Sequence, residues 1–325
     1  MSRVLIIKTS SLGDVVHNLP IVNDVLRALP GTIVDWVVEE AYADLPRMHP
    51  GVTRVVPVAQ RRWRRTISVA ASAERQAFES LLRQECYDVV LDTQGLLKSA
   101  VLARLARLSP SGVRIGFSRR LAREGLARLF YDRGIDVGRH LHAVERLRSL
   151  AAQALGYAVE GPPIFGLKVP HARFDWLASA PYAVLLHATS RPEKAWPVSR
   201  WRSLITHLSG LGLQSILPHG SENEQQGAQE LARALPGATV PPRFGLGQAA
   251  ALLRDARVVI GVDTGLTHLA AALTVPTVAL FGATPRWRYA PYWSANAISL
   301  GEEKVQPSVN EVLGALLRLG IGTRG

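Results

Sequence analysis

VLIIKTSSLGDVVHNLP, residues 4–20, decides how the rest of the chain is read. Val4 to Ile7 form an unbroken apolar run, the mark of a short strand buried on both faces. The run empties into a polar turn, Thr9-Ser10-Ser11, and then into Gly13 and Asp14. Beyond them Val15, Val16, Leu19 and Val22 offer one buried helical face. A buried strand feeding a polar turn and a helix opens a parallel α/β sheet, whose ligands bind beyond the carboxyl ends of the strands. Ser11 and Asp14 also fit a capping box, in which each side chain reaches the other's backbone N–H. The stretch alone leaves Asp14 two roles, helix cap or chemical group.

The same pattern repeats outward. VLIIK, TIVDWVV, RVVPV and YDVVLDT are β-rich runs, separated by helical stretches such as AERQAFESLLRQE and LKSAVLARLARL. Around GYAVEGPPIFGLKVP, residues 156–170, glycine and proline accumulate and the periodicity lapses, which marks a linker. The pattern then restarts with YAVLLHAT, LQSILPHG, ARVVIGVDTG and TVALFGAT. The expected fold is α/β, two doubly wound Rossmann-like domains over residues 1–160 and 161–325. A length of 325 residues suits two domains of ordinary size.

Composition excludes several classes. Hydrophobic residues make up 47% and charged residues 20%, a globular mix. Cys86 is the single cysteine, so no internal disulfide forms. No apolar stretch reaches the roughly 20 residues of a membrane span, and no secretory signal precedes Lys8; a cytoplasmic protein is expected. The net charge is +12, and only five of the 38 basic residues are lysine. The excess arginine points to a phosphate- or carboxylate-bearing partner.

Four motifs carry chemistry. The Asp14 block is the first. In the second, VVIGVDTGLTHLAAAL (258–273), a buried strand ends in Asp263-Thr264-Gly265, and the following helix turns its open N–H groups and positive dipole end toward an anion such as a pyrophosphate. In the third, LLHATSRPEKAWP (185–197), Thr189 and Ser190 sit at a strand's carboxyl end with Lys194 close behind; His187 reads as a core or loop histidine. The fourth is basic: Arg61-Arg62-Trp63-Arg64-Arg65 has no acidic residue near it in sequence, and Arg104, Arg107, Arg114, Arg119, Arg120 and Arg123 form a second cluster. D-x-D, C-x-x-C, H-E-x-x-H, G-x-S-x-G and Walker patterns are absent, as are the dinucleotide-binding fingerprint, in which glycines spaced G-x-G-x-x-G follow a strand and open a helix, and nucleic-acid-binding signatures.

These blocks together resemble the lipopolysaccharide heptosyltransferases of glycosyltransferase family nine. The resemblance runs along essentially the whole chain, through VLIIKTSSLGDVVHNLP, VDWVVEE, VVPVAQRRWRR, DTQGLLKSA, HAVER, HATSRPEKAWP and VDTGLTHLAAAL. It implies a GT-B architecture, two domains facing a central cleft, with the last helix (about residues 307–319) a candidate to cross back onto the first domain. It also implies inverting transfer from ADP-L-glycero-β-D-manno-heptose to the first Kdo of Kdo-lipid A, with no cofactor or metal required. The enzyme is then expected to visit the cytoplasmic face of the inner membrane peripherally. Asp263-Thr264-Gly265 and the arginine-tryptophan-arginine block favour this branch over the second heptosyltransferase. Nucleic-acid binding is the rival that rests on charge alone.

Carried over residue by residue, Asp14 falls on the catalytic base. Lys194, Thr189 and Ser190 fall on diphosphate contacts, and Asp263, Thr264, Gly265, Leu266 and His268 surround the nucleotide-sugar. Glu224, with Glu222 as its alternative, matches the adenosine ribose position, and Phe244 flanks the adenine where the family often has methionine. Ser190 stands where threonine is usual. Arg61, Arg62, Arg64, Arg65 and Arg123 match acceptor-linked positions, with Gln94 and Lys98 beside them.

Overall fold

Val4 to Ile7 are fully buried in the central strand of the first unit. A computed structural model describes residues 2–65, 68–189 and 191–322 and divides the chain into two compact units, Met1–Lys168 and Val169–Gly325.

The first unit holds β1 (Arg3–Ile7), β2 (Ile33–Glu39), β3 (Arg54–Val58), β4 (Tyr87–Asp92), β5 (Leu108–Phe117) and β6 (Arg133–Ile135). They form one parallel sheet in the order β3-β2-β1-β4-β5-β6. Strands this apolar are stable only when both faces are covered. On one face Leu5, Ile7, Val37, Val56 and Val90 pack against Trp63, Phe78, Ala103 and Tyr131. Helix Leu12–Asn18 follows β1 and runs into helix Pro20–Ala28, which takes its proline at the first helical position. Helix Ala143–Leu155 ends at Gly156, whose φ of +77° is the left-handed cap that glycine adopts without strain.

The second unit repeats the plan. Its strands are β7 (Tyr182–Leu186), β8 (Gln214–Ile216), β9 (Ala238–Thr239), β10 (Val258–Val262), β11 (Thr277–Leu280) and β12 (Ala297–Leu300). They also run parallel, in the order β12-β11-β10-β7-β8-β9. The core joins Ala183, Leu185, Val258, Ile260 and Val278 to Trp201, Leu204 and Leu208.

Each sheet has one topological switch, where the chain reverses its direction of spread. It lies between β1 and β4 in the first unit and between β7 and β10 in the second. A crevice opens at such a point beyond the strand ends, the usual ligand position in this fold class.

Two expectations are corrected. The boundary falls after Lys168, so residues 161–168 belong to the first unit. Arg148, with 1% of its side chain exposed, donates to the Gly161 and Glu160 carbonyls, Asn23 donates to the Ile164 carbonyl, and the Lys168 N–H donates to the Met48 carbonyl. The last helix, Val309–Arg318, packs within the second unit, burying Val312, Ala315 and Leu316 in that unit's core.

Candidate functional site

At the switch in the first sheet, the residues after β1 and β4 bind one another. Asp92 is buried at the end of β4, where its Oδ1 accepts from the N–H groups of Gln94 (2.8 Å) and Gly95 (3.2 Å) and its Oδ2 from the Tyr131 hydroxyl (2.6 Å). The turn so fixed presents the Gln94 side chain to the end of β1. Gln94 Oε1 accepts from Thr9 N (2.7 Å), Thr9 Oγ1 (2.8 Å) and Ser10 N (3.3 Å). Lys98 Nζ donates to Ser10 Oγ at 3.0 Å. Lys8, also buried, donates to the Thr93 carbonyl at 3.1 Å.

Asp14 caps its helix and also carries a carboxylate held near two cations. As the third residue of helix Leu12–Asn18, it accepts from Ser11 N (3.1 Å) and Ser11 Oγ (2.9 Å) through Oδ2, closing the capping box. Its Oδ1 lies 3.8 Å from Lys8 Nζ, and Arg123 Nη1 is 3.9 Å from Oδ2. Burial by itself would push the carboxyl up, but the Lys8 and Arg123 charges and the Ser11 N–H outweigh it and hold the value at about 2. Asp14 is therefore a carboxylate with 28% of its side chain exposed, fixed in place and held between cations.

The basic block is less uniform than its sequence suggests, because parallel pairing returns acids to it. The Arg61 N–H donates to Glu39 Oε1, and the Arg61 guanidinium donates to the Tyr42 hydroxyl and lies 5.2 Å from that ring's centroid. Arg62 is held between Glu40 (3.1 Å) and Glu74 (2.7 Å), which corrects the reading of this block as free of acids. Trp63 is buried and donates to Glu74. Arg64 and Arg65 are exposed, and among the described residues neither has a carboxylate within 4.0 Å. Burial first, then the Arg64 charge, lowers the Lys98 ammonium. Arg64, Arg61 and Arg123 thus share one field with Lys98, and Arg123 also acts on Asp14. Gln94 is 3% exposed and spends its carbonyl oxygen on the Thr9-Ser10 turn, so it shapes this site from beneath.

The second unit builds its site across β7 and β10. Lys194 Nζ reaches from the loop after β7 to Asp263 Oδ2 (2.7 Å) at the end of β10. His268 Nε2 is 2.9 Å from Asp263 Oδ1, and Thr284 Oγ1 donates to Oδ2 at 2.6 Å. Burial opposes the Asp263 charge, yet the His268 and Lys194 contacts hold its carboxyl well below the ordinary range. Thr264 caps helix Gly265–Ala272 by position, and the helix begins with Gly265 and Leu266, whose N–H groups have no partner within the helix. Thr189 Oγ1 accepts from Arg191 N at 3.2 Å. Ser190 lies outside the described residues.

Glu224 opens helix Glu222–Ala232 half-buried, its N–H capped by Ser221 Oγ and its Oε2 accepting from Gly220 N at 2.7 Å; Glu222 beside it is exposed. Burial lowers the nearby His187. Phe244 stacks on Trp176 at 6.2 Å with an interplanar angle of 2°, and Phe174 closes the group at 6.0 Å from Phe244. Sequence reasoning missed Lys8, Asp92, Tyr131, Thr284 and Trp176 as parts of these sites. Lys8 and Thr284 had a signal, a polar residue just past a buried strand; Tyr131 and Trp176 had none.

The geometry can be set beside known proteins. A model of glycosyltransferase family 9 (heptosyltransferase) matches residues 75–313. Lipopolysaccharide heptosyltransferase 1 of Pseudomonas aeruginosa is 47% identical over 284 residues, which cover 87% of this chain and 79% of that protein. The E. coli heptosyltransferase WaaC solved with ADP superposes with a TM-score of 0.87 at 40% identity, over 98% of this chain and 99% of that one. The same enzyme solved with ADP-2-deoxy-2-fluoro heptose gives 0.83 at 40% identity, over 97% and 99%. With the family model spanning most of its length, and with two doubly wound units that each carry a polar site at the switch point, the chain belongs to glycosyltransferase family 9, the heptosyltransferases.

Proposed function

We propose that the chain moves L-glycero-D-manno-heptose from ADP-heptose to the first Kdo of Kdo-lipid A, with inversion at the anomeric carbon. The relatives named lipopolysaccharide heptosyltransferase 1 support heptose transfer in lipopolysaccharide synthesis, and the E. coli heptosyltransferase WaaC solved with ADP-2-deoxy-2-fluoro heptose supports the donor. The observation that carries the chemistry is Asp14, an ionised carboxylate at the end of β1 with Lys8 and Arg123 beside it.

The acceptor hydroxyl attacks the anomeric carbon as the bond to ADP breaks; the electron pair leaves with the diphosphate, and the proton goes to Asp14. A carboxylate held near 2 is a weak base toward a free alcohol. It suffices here because the attacking oxygen becomes strongly acidic once bonded to an oxocarbenium-like carbon, so the transfer runs downhill late in the step. Such assistance is worth about 10²- to 10⁴-fold. On the donor side, Lys194, Thr189 and the N–H groups at Gly265 and Leu266 meet the developing diphosphate charge, while Asp263 aims Lys194. This reading needs no metal. Glu224 would take the ribose hydroxyls, and Phe244 with Trp176 the adenine face.

The cations around Asp14 have a matching role. Kdo carboxylates and lipid A phosphates are anionic, and Lys98, Arg61, Arg64, Arg65 and Arg123 provide the complementary field. No described helix is long and apolar enough to cross a membrane; in this reading the cationic surface meets the lipid-linked acceptor peripherally, at the cytoplasmic face. A nucleic-acid-binding role would leave both Asp14 and the Lys194–Asp263 pair without a use.

The test is transfer of heptose to Kdo-lipid A read by mass. A product one heptose heavier is expected. Bound donor without product would send the assignment to another acceptor, and failure to bind ADP-heptose would overturn it.

A further inference from the structure

Leu126 and Leu129 are 57% and 79% exposed on the short 3₁₀ helix Gly125–Phe130. With three residues per turn, positions three apart lie one above the other, so the two leucines form a single apolar ridge. The helix is anchored from its other side. Ala127 is fully buried, Phe130 packs on the first unit's core, and Tyr131 binds Asp92. The one acid of the segment, Glu124, is turned away to accept from the Leu97 N–H. Arg119 and Arg120 are exposed just before it, and among the described residues neither has a carboxylate within 4.0 Å. Arg123, in the same segment, reaches the Asp14 carboxylate.

The geometry points to this ridge, with its arginine rim, as the element that docks the first unit onto an anionic lipid bilayer. The inference rests on the reading of a lipid-linked anionic acceptor and names the contact that brings Asp14 to it. Charge and size choose the occupant. Arginines beside aliphatic side chains suit the boundary between acidic headgroups and acyl chains. Two leucines are far short of the roughly 1,000 Å² that a stable protein interface requires. The ridge is also continuous with the site: five residues separate Arg123 and Leu129 from one another on the segment, so seating the leucines in the acyl boundary sets Arg123 among the headgroups.

The experiment is flotation of the full chain with unilamellar vesicles of phosphatidylglycerol and phosphatidylcholine, or of phosphatidylcholine alone, beside transfer assays on a deacylated, water-soluble Kdo acceptor. The wild type should float with the anionic vesicles and hardly with neutral ones. The double variant L126Q/L129Q should lose roughly tenfold or more of that binding, and R119Q/R120Q about fivefold per arginine. L126Q/L129Q should still transfer heptose to the soluble acceptor at the wild-type rate, and L129W should bind at least as well as wild type. Equal flotation of L126Q/L129Q and wild type, or no flotation of wild type, overturns the proposal. So does loss of soluble transfer in L126Q/L129Q, which would make the ridge part of the fold. Wild-type self-association abolished by L126Q/L129Q would reassign the ridge to a second copy of the chain. Absence of wild-type transfer to every acceptor would sink the transferase reading instead, with the vesicle result standing on its own.

Discussion

Lys194 Nζ lies 2.7 Å from Asp263 Oδ2 and 3.2 Å from the Asp263 carbonyl oxygen. Two oxygens of one residue therefore aim the ammonium across the gap between β7 and β10, toward the helix that begins at Gly265. Exchanging Lys194 for methionine should cut kcat/KM by about 100-fold or more, the usual cost of one donor to developing charge. Steady-state kinetics with ADP-binding calorimetry would check this. A variant with unaltered turnover would remove Lys194 from the leaving-group role.

Asp14 presents a sharper choice, because its cap and its charge use the same carboxylate. In Asp14→Asn the carbonyl oxygen can still accept from the Ser11 N–H, so the fold and donor binding should persist while turnover drops at least about 100-fold. Thermal melts run beside the assay decide the matter. Turnover lost in step with the melting temperature would mean that the residue only finishes a helix.

The Lys8 charge fixes when Asp14 can act. Its carboxyl is held at about 2 against an ordinary 3.8, so the charged form contributes stability above pH 3.8, and that contribution is lost as pH falls through about 2. Acid should therefore not limit the wild-type rate through Asp14 near neutrality. Replacing Lys8 with methionine removes the largest lowering influence, so the Asp14 carboxyl and with it the acid limb of the pH–rate profile should move upward. An unmoved limb would show that Lys8 does not set the charge of Asp14.

The arginines of the basic block should separate on substitution. Arg62 is engaged by Glu40 and Glu74, whereas Arg64 is exposed with no carboxylate within 4.0 Å among the described residues, and Arg123, also exposed, reaches Asp14 only at 3.9 Å. Alanine at Arg64 or Arg123 should raise the acceptor KM about fivefold and weaken its salt dependence. Alanine at Arg62 should change KM by less than about twofold. Equal effects at all three positions would argue for a diffuse field over placed contacts.

The sequence disclosed the sheets because their strands are nearly pure aliphatic runs; β1, β4, β7 and β10 stand where apolar stretches meet polar turns. β5 escaped notice because its first half, Leu108 to Gly112, is partly exposed and made of serine, proline and glycine after one leucine, and β9 is only two residues long. Asp14, Lys194 and Asp263 were legible from strand-to-helix junctions. The acids around Arg61 and Arg62 were not, since Glu39 and Glu40 arrive through the pairing of β2 with β3 and Glu74 from a helix one element later. Gln94 was legible as a member of the site but not as its support, because a carbonyl shared among three donors is a property of the folded turn.

The Arg148 clamp has a practical consequence for dissecting the enzyme. Its guanidinium is fully enclosed, two nitrogens on Asp24 (2.7 and 3.0 Å) and the remaining donors on the Glu145 carboxylate (3.2 Å) and the carbonyls of Glu160 and Gly161. At the next step Lys168 is bonded to Met48, while Val169 accepts from Arg254 in the other half. Along the chain the division thus falls at the peptide bond between Lys168 and Val169. A first half expressed separately should stop at Lys168; one that ended with its last helix at Leu155 would strip a buried cation of its carbonyls, and truncation there would read as misfolding even though every strand was retained.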